Sequence, residues 1–368
     1  MKTAFLVLVL LHGLIHLLGP AKAFRWAAVN QLKQPVSRAA GAFWLLGAVL
    51  FVAASCLLFF DHTSWWIVAA AGIVSSQALI VLSWRDARYG SVLNLIILVP
   101  VVIALLGALP SSHANIYRVE VTKRLAPVAG VSLVSEMDVQ HLPGPVRKYL
   151  YAVGAVGRPK VYNFRAVSQG EMRRSMAGDW MEISSRQHDF FGDRARFFLI
   201  ESALFGIPFV GLHAFAGDSA TMHVSVASAF PIVHARGKKM TQAETVTLFN
   251  DMCLLAPATL IDTSIRWEPI DSLHVGAKFT NRAISISALL SFNQAGEMTN
   301  FVSGDRYLSA DGITYEQYPW STPAKDYRDF GGTRIAAYGE AIWHTPRGEY
   351  VYAKFDLKEL EYNCSEFR

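Results

Sequence analysis

"TQAETVTLFNDMCLLAPATL", Thr241 to Leu260, decides how the C-terminal part of this chain folds. It is one helix-period run set between segments that alternate like strands. Thr241 followed by Glu244 has capping-box spacing, and Pro257 marks the end. At about 100° per residue, Val246, Leu248, Phe249, Met252, Cys253, Leu255 and Ala256 share one broad face. Glu244, Thr247, Asn250 and Asp251 share the other, which reads as a solvated face. Such a helix covers one face of a curved sheet and leaves an apolar pocket beneath it.

The flanking residues supply the sheet. From residue 161, β-rich runs recur: "VYNFRAVSQGEMRR", "DWMEISSRQHDFF", "ARFFLIESA" and "SATMHVSVASAF" before the helix. After it come "IRWEPIDSLHVGAKFT", "ISISALLSFN", "MTNFVSGDRYL", "TRIAAYGEAIWH" and "EYVYAKFDLKELEY". Turns such as "QAGE", "SADG" and "TPRG" separate several of them. That is the signature of one large antiparallel sheet or half-open barrel. "PWSTPAKDYRDF" reads as a loop between strands and a pocket lip. "PGPVRKYLYAVG" reads as a short helix closed by Gly154.

The N-terminal part is a different object. Apolar segments run about 3–20, 40–60, 64–83 and 91–109, each near the roughly 20 residues that cross a bilayer. The chain of 368 residues is 52% hydrophobic with a formal net charge of +5. Residues 1–109 hold seven Lys/Arg and two Asp/Glu, and the remainder holds 27 of each. The excess is therefore a topology signal and not a nucleic-acid footprint. Lys22, Arg25, Lys33 and Arg38 place the first loop in the cytoplasm, and Arg85 and Arg88 the third. The C-terminal residues then lie outside, on the outer face of a bacterial inner membrane. Residues 1–23 also admit a signal-peptide reading, with Lys2, an apolar core and Ala21-Lys22-Ala23. Cleavage there would leave three spans and reverse that placement.

His12 and His16 sit four apart on one face of the first span. They read as a metal or redox pair if other helices add ligands, or as hydrogen-bonding glue between helices. Ser75, Ser76, Gln77 and Asn94 are the natural partners for glue. Cys56, Cys253 and Cys364 form no CxxC and no disulfide framework.

The chain has no GxSxG elbow, HExxH, P-loop or GxGxxG following a strand. "GLHAFAGDSA" offers His213 and Asp218 without a nucleophile at telling spacing. Glu244 and Asp251, two turns apart, are the carboxylates available for acid–base work. Asn250, Arg306, Trp320, Tyr327 and Trp267 are the candidate ligand contacts. Arg306 in "GDRYL", if it points inward, needs an anion from Asp, Glu or a ligand headgroup.

"SQALIVLSWRDARYGSVLNLIIL" with "HGLIHLLG" resembles the four-span module of an uncharacterised family of bacterial membrane proteins. "LPGPVRKYLYAVGAVG", "WMEISSRQ", "IRWEPID" and "GDRYL" resemble that family's extracytoplasmic domain, over about 141–363. The ending, "DFGGTRI" and two strands closing on "LEYN", is similar to Lol-type lipoprotein carriers. That likeness implies a half-open β-barrel with helices in its mouth that binds acyl chains.

The reading is thus a transmembrane α-helical bundle followed by an α+β domain. Residues 1–110 are a four-helix anchor, 111–142 a connector and 143–368 a β-rich extracytoplasmic domain covered by one helix. The expected function is a binding or carrier module for an apolar, lipid-like ligand, with the lipid bilayer as partner, no nucleic acid and no cofactor. The alternatives are an enzyme using the carboxylates of the 241–256 helix, and a membrane metal or redox protein built on His12 and His16.

Overall fold

A computed structural model describes residues 2–127, 130–204, 207–228 and 230–368. Val128 and Ala129 of the expected connector, and Ala229 of an expected strand run, lie outside the described residues. The chain divides into two units, Met1–Leu109 and Pro110–Arg368.

Among the described residues, four helices are long and apolar enough to cross a membrane: Lys2–Ala23, Arg38–Phe59, Trp65–Leu82 and Gly90–Thr122. The first is broken at His16 and Leu17 into α1 (Lys2–Ile15) and α2 (Leu18–Ala23). Then come α3 (Arg38–Phe59), α4 (Trp65–Leu82), the short α5 (Trp84–Ala87) and α6 (Gly90–Ala108). In this unit α1 packs on α3 and α6, and α4 also packs on α3 and α6, so the four helices close a ring. Outward-facing and core-facing side chains of these helices are similarly apolar, so close packing and polar contacts hold such a bundle. Gly13 and Gly72 let α1 and α4 approach Phe51 of α3, where an added Cβ would lie 2.9 and 3.2 Å from its atoms. His12 and His16 are buried inside the ring. His12 Nε2 donates to Asn94 Oδ1 at 2.9 Å. Asn94 Nδ2 donates to Ser76 Oγ at 3.0 Å and Gln77 Oε1 at 3.1 Å. His16 Nδ1 donates to the His12 carbonyl at 2.8 Å.

The second unit opens with α7 (His113–Thr122), α8 (Glu136–Val139) and α9 (Gly144–Ala152). The expected connector is therefore partly helical. Tyr117 and Val121, one turn apart, bury into an apolar cluster with Phe197, Leu199 and Leu212. The helix expected at "PGPVRKYLYAVG" is α9, and Gly154 follows it at φ +72°.

Six strands follow as successive hairpins: β1 (Asn163–Met172), β2 (Met181–Phe190), β3 (Ala195–Leu204), β4 (Ile207–Ala216), β5 (Ser219–Val226) and β6 (Phe230–Arg236). The chain then enters α10 (Lys238–Leu254) and a 3₁₀ turn, Pro257–Ile261. The second set is β7 (Ile265–Pro269), β8 (His274–Asn281), β9 (Ile284–Phe292) and β10 (Met298–Ser303). Short β11 (Tyr307–Leu308), β12 (Glu316–Gln317) and β13 (Trp320–Ser321) lead to β14 (Ala324–Phe330), β15 (Thr333–Thr345) and β16 (Gly348–Tyr362). One antiparallel sheet runs β6-β5-β4-β3-β2-β1-β16-β15-β13-β10-β9-β8-β7, with β14 added on β15.

Two sequence readings differ from this. "PWSTPAKDYRDF" is not a loop: it forms β13 and β14. The charges of β14 hid it, because it pairs with β15 alone and its outer residues are exposed. β4, which holds the first six residues of "GLHAFAGDSA", is absent from the strand runs read above, because Pro208 and Gly211 within it mask the strand period.

The sheet must curl. From β5 to β9 there are nine inter-strand spacings of about 4.8 Å, about 43 Å if flat. Yet α10, a cylinder about 10 Å across, touches β5 and β6 on one wing and β9 and β10 on the other. The expected half-open barrel is thus wrapped around its helix. As a result α10 has no solvated face: every residue from Ala243 to Cys253 is buried. The helix also begins earlier than the capping-box reading placed it. Its N-cap is Gly237 at φ +98°, and the Thr241 hydroxyl donates back to the Gly237 carbonyl.

Asn94 joins three of the four long apolar helices. Asn94→Ala leaves His12, Ser76 and Gln77 without it, and the expected loss is about 0.6–2 kcal/mol per broken contact. Denaturant unfolding of the detergent-solubilised full chain checks this against Ser75→Ala, whose hydroxyl bonds only within its own helix.

Candidate functional site

The apolar face of α10 lies on the second wing. Phe249 stacks on Phe279 with ring centres 5.0 Å apart and meets Phe301 edge-on at 5.7 Å. Tyr149 of α9 donates to the Cys253 carbonyl at 2.9 Å. The polar face turns to β2, β3 and β4. Strand alternation sends Arg196, Phe198 and Ile200 of β3 to one side, toward the helix. Between them and β15 lies a cavity of about 170 Å³. The alternate β15 residues Ala337, Gly339 and Ala341, all small, are among its lining and leave the space open.

One end of the cavity is charged. Arg196 Nε donates to Asp251 Oδ2 at 2.6 Å and Arg196 Nη1 to Glu244 Oε2 at 3.0 Å. Gln187 Nε2 donates to Asp251 Oδ2 at 2.8 Å and to Asp189 Oδ1 at 3.0 Å. His213 Nδ1 meets Glu244 Oε1 at 3.0 Å. Burial pushes Glu244 up, but Arg196 and His213 overcome it and hold the carboxyl down at about 2. At Asp251 burial wins over Arg196 and Gln187, and the carboxyl is raised. Asp189 is raised well above the ordinary range by burial and by Asp251, and its Oδ2 has no hydrogen-bond partner. One guanidinium is thus shared by two acids, Asp251 and Glu244, and Gln187 links Asp251 to Asp189. Chemically this is a clamp: both Glu244 oxygens and one of Asp251 are committed.

Arg306, from the turn after β10, also lines the cavity. Its guanidinium carbon lies 4.3 Å from the Trp320 ring centre and 5.2 Å from that of Trp343. Its Nε donates to Thr247 Oγ1 at 3.2 Å and its Nη1 to Tyr352 Oη at 3.0 Å. Asn250 Nδ2 donates to Thr322 Oγ1 at 2.6 Å beside it.

The structure brings Glu244, Asp251, Asn250, Arg306 and Trp320 to one cavity. Tyr327 and Trp267 are elsewhere. Tyr327 Oη donates to the Met298 carbonyl at 2.8 Å, and Trp267 packs on Phe249 with ring centres 6.5 Å apart. His213 joins the site and Asp218 does not; Asp218 pairs with Arg282 at 2.7 Å. His12 and His16 lie in the helical unit, and among the described residues no three His, Cys, Asp or Glu side chains form a metal-holding group. Sequence reasoning missed Arg196, Gln187 and Tyr352. The signal for Arg196 was present: in "ARFFLIES" it occupies the same strand register as Phe198 and Ile200.

A family model described as a family of unknown function (DUF6544) matches residues 132–355. No curated protein matches. Solved structures similar to the chain include an outer membrane lipoprotein-sorting protein domain from Vibrio parahaemolyticus, at 9% identity and TM-score 0.33, covering 54% of this chain and 85% of that one. A LolA superfamily protein from Nitrosomonas europaea has 12% identity and TM-score 0.33, with coverage of 59% and 93%. A DUF1329 family protein from Desulfovibrio piger has 9% identity and TM-score 0.34, with coverage of 59% and 91%.

Removing Arg196 leaves its acids buried without a counter-charge. Arg196→Met is expected to cost about 3–5 kcal/mol at pH 7.5. Without the guanidinium the folded-state carboxyl pKa values rise above their unfolded values. The folded variant then gains protons, and stability, as the pH falls through those raised values. The deficit should therefore shrink between pH 7.5 and pH 5, and denaturant unfolding at both pH values reads it.

Proposed function

The chain belongs to the DUF6544 family of unknown function, and from that premise we propose that it is a membrane-anchored extracytoplasmic module that binds an apolar, lipid-like ligand between α10 and the sheet. The observation that carries the reading is the cavity of about 170 Å³, walled by Phe198, Ile200, Leu254, Phe355 and the small residues of β15. It is a little larger than the roughly 150 Å³ apolar cavity that holds benzene, so it takes about six or seven carbons of chain. It is smaller than the roughly 300–1,000 Å³ of sites for drug-sized molecules, so the fitting ligand is one chain segment and not a whole diacyl lipid.

The excess of basic residues in the loops 21–39 and 85–90 supports cytoplasmic placement of those loops and an outer location for the sheet, in a bacterial inner membrane. The commitment of Glu244 and Asp251 to Arg196, Gln187 and His213 supports binding over acid–base catalysis at that pair. The bonds of His12 to Asn94, and of His16 to the turn before it, support a helix-joining role over a metal site.

Ala337 is buried and its methyl group borders the cavity. Ala337→Leu fills it. Native mass spectrometry of the full chain released from detergent is expected to retain an acyl-bearing adduct in the wild type, with occupancy at least tenfold lower in the variant. Equal adducts in two proteins of matched thermal midpoint would sink the proposal.

A further inference from the structure

Arg306 is a half-buried cation set against two tryptophan rings. Its guanidinium lies against the Trp320 and Trp343 rings, which cover it with apolar surface while its edge remains free to bond. Two of its five N–H groups are used, on Thr247 and Tyr352. Among the described residues no carboxylate lies within 4 Å of it. Glu244 is the acid closest in influence, and its two oxygens are already taken by Arg196 and His213. Among the described residues no acid is in direct contact with this half-buried cation, so an anionic ligand can serve as its counter-ion.

The surroundings are shaped to receive that counter-ion. Tyr352 Oη accepts from Arg306 Nη1 at 3.0 Å and from Trp320 Nε1 at 3.3 Å, so its own proton is left to donate. The Nη2 hydrogens of Arg306 are likewise uncommitted. Arg306, Tyr352 and Trp320 line the same cavity as the apolar side chains of Phe198, Ile200, Leu254 and Phe355, while its acids Glu244 and Asp251 are bonded to Arg196. Two donors beside apolar wall fit a particular ligand shape: a chain with an anionic oxygen group at its end.

Resting on the binding function proposed above, we infer that Arg306 and Tyr352 form the seat for the anionic end, a carboxylate or phosphate, of a single-chain amphiphile whose apolar part occupies the cavity under α10. Trp320 and Trp343 hold the guanidinium in place. A planar guanidinium is suited to the task because it meets two oxygens at once, which an ammonium does not.

The test uses the full chain in nanodiscs, with empty discs as blank, and isothermal titration with octanoate, octanamide, octyl phosphate and inorganic phosphate at pH 7.5. Octanoate carries seven carbons beyond its carboxylate, the length that the cavity takes, and octanamide is its neutral counterpart. The wild type is expected to bind octanoate at least tenfold more tightly than octanamide. In Arg306→Gln that ratio should fall to about one while octanamide affinity changes less than threefold. Arg306→Lys should keep part of the preference, which guards against a variant that merely misfolds. Octyl phosphate well above inorganic phosphate places the anion on a chain, whereas the reverse, lost in Arg306→Gln, identifies a free-anion site and overturns the inference. Equal binding of octanoate and octanamide by the wild type also overturns it and leaves the apolar pocket standing. If no octyl compound binds, the binding function itself fails.

Discussion

The β-rich unit depends on one electrostatic constraint: a helix wrapped by a sheet has no side left for water. Each buried charged residue on α10 must find its partner in the sheet or carry the cost of desolvation. Arg196 meets that requirement. It stands in the inward register of β3 and receives Asp251 and Glu244, one from each end of the helix's polar stripe. Gln187 and His213 complete the set from the neighbouring strands. The pairing also fixes the rotation of α10 about its axis, because the same turns must present Phe249 to Phe279 and Phe301 on the opposite wing.

With the helix fixed at both faces, the empty space follows from side-chain size. The middle of the sheet is β16 and β15, and β15 contributes alanine and glycine where it passes under α10. A rigid helix cannot sink into the gap, since the clamp on one side and the aromatic stack on the other hold it off. The cavity is thus a consequence of two well-packed contacts flanking one row of small residues. Its polar contacts differ in kind: around Arg196 the charges satisfy one another, and among the described residues Arg306 lies against aromatic rings with no acid in direct contact.

Much of this was legible beforehand, for identifiable reasons. The four spans follow from apolar length alone. Asn94, Ser76 and Gln77 stood out as partners for the paired histidines because polar groups inside a bundle are scarce, and the His12–Asn94 bond joins two of the named residues. The position of α10 between two sets of strands followed from the switch of period near residue 241. The polar stripe of α10 was misread because periodicity reports that two faces differ and not what each one touches. A Glu, Thr, Asn, Asp stripe is solvated on a helix that covers a sheet and buried on one that a sheet surrounds. β14 and β4 escaped notice for a related reason. Charged residues in one and proline and glycine in the other obscure the alternation, and it is the hydrogen bonds of a neighbouring strand that make each an element.

The sequence by itself determined the two-part organisation, the apolar helices, the antiparallel strands and the single long helix among them, because each rests on local hydropathy and period. It also named five residues that meet at the cavity: Glu244, Asn250, Asp251, Arg306 and Trp320. Only the tertiary structure decided that Arg196 is the partner of the acids, that Tyr327 and Trp267 stand apart, and that among the described residues no acid pairs directly with Arg306. Those facts depend on the curl of the sheet, which brings strands distant in the chain onto one helix, and no local pattern encodes that curvature.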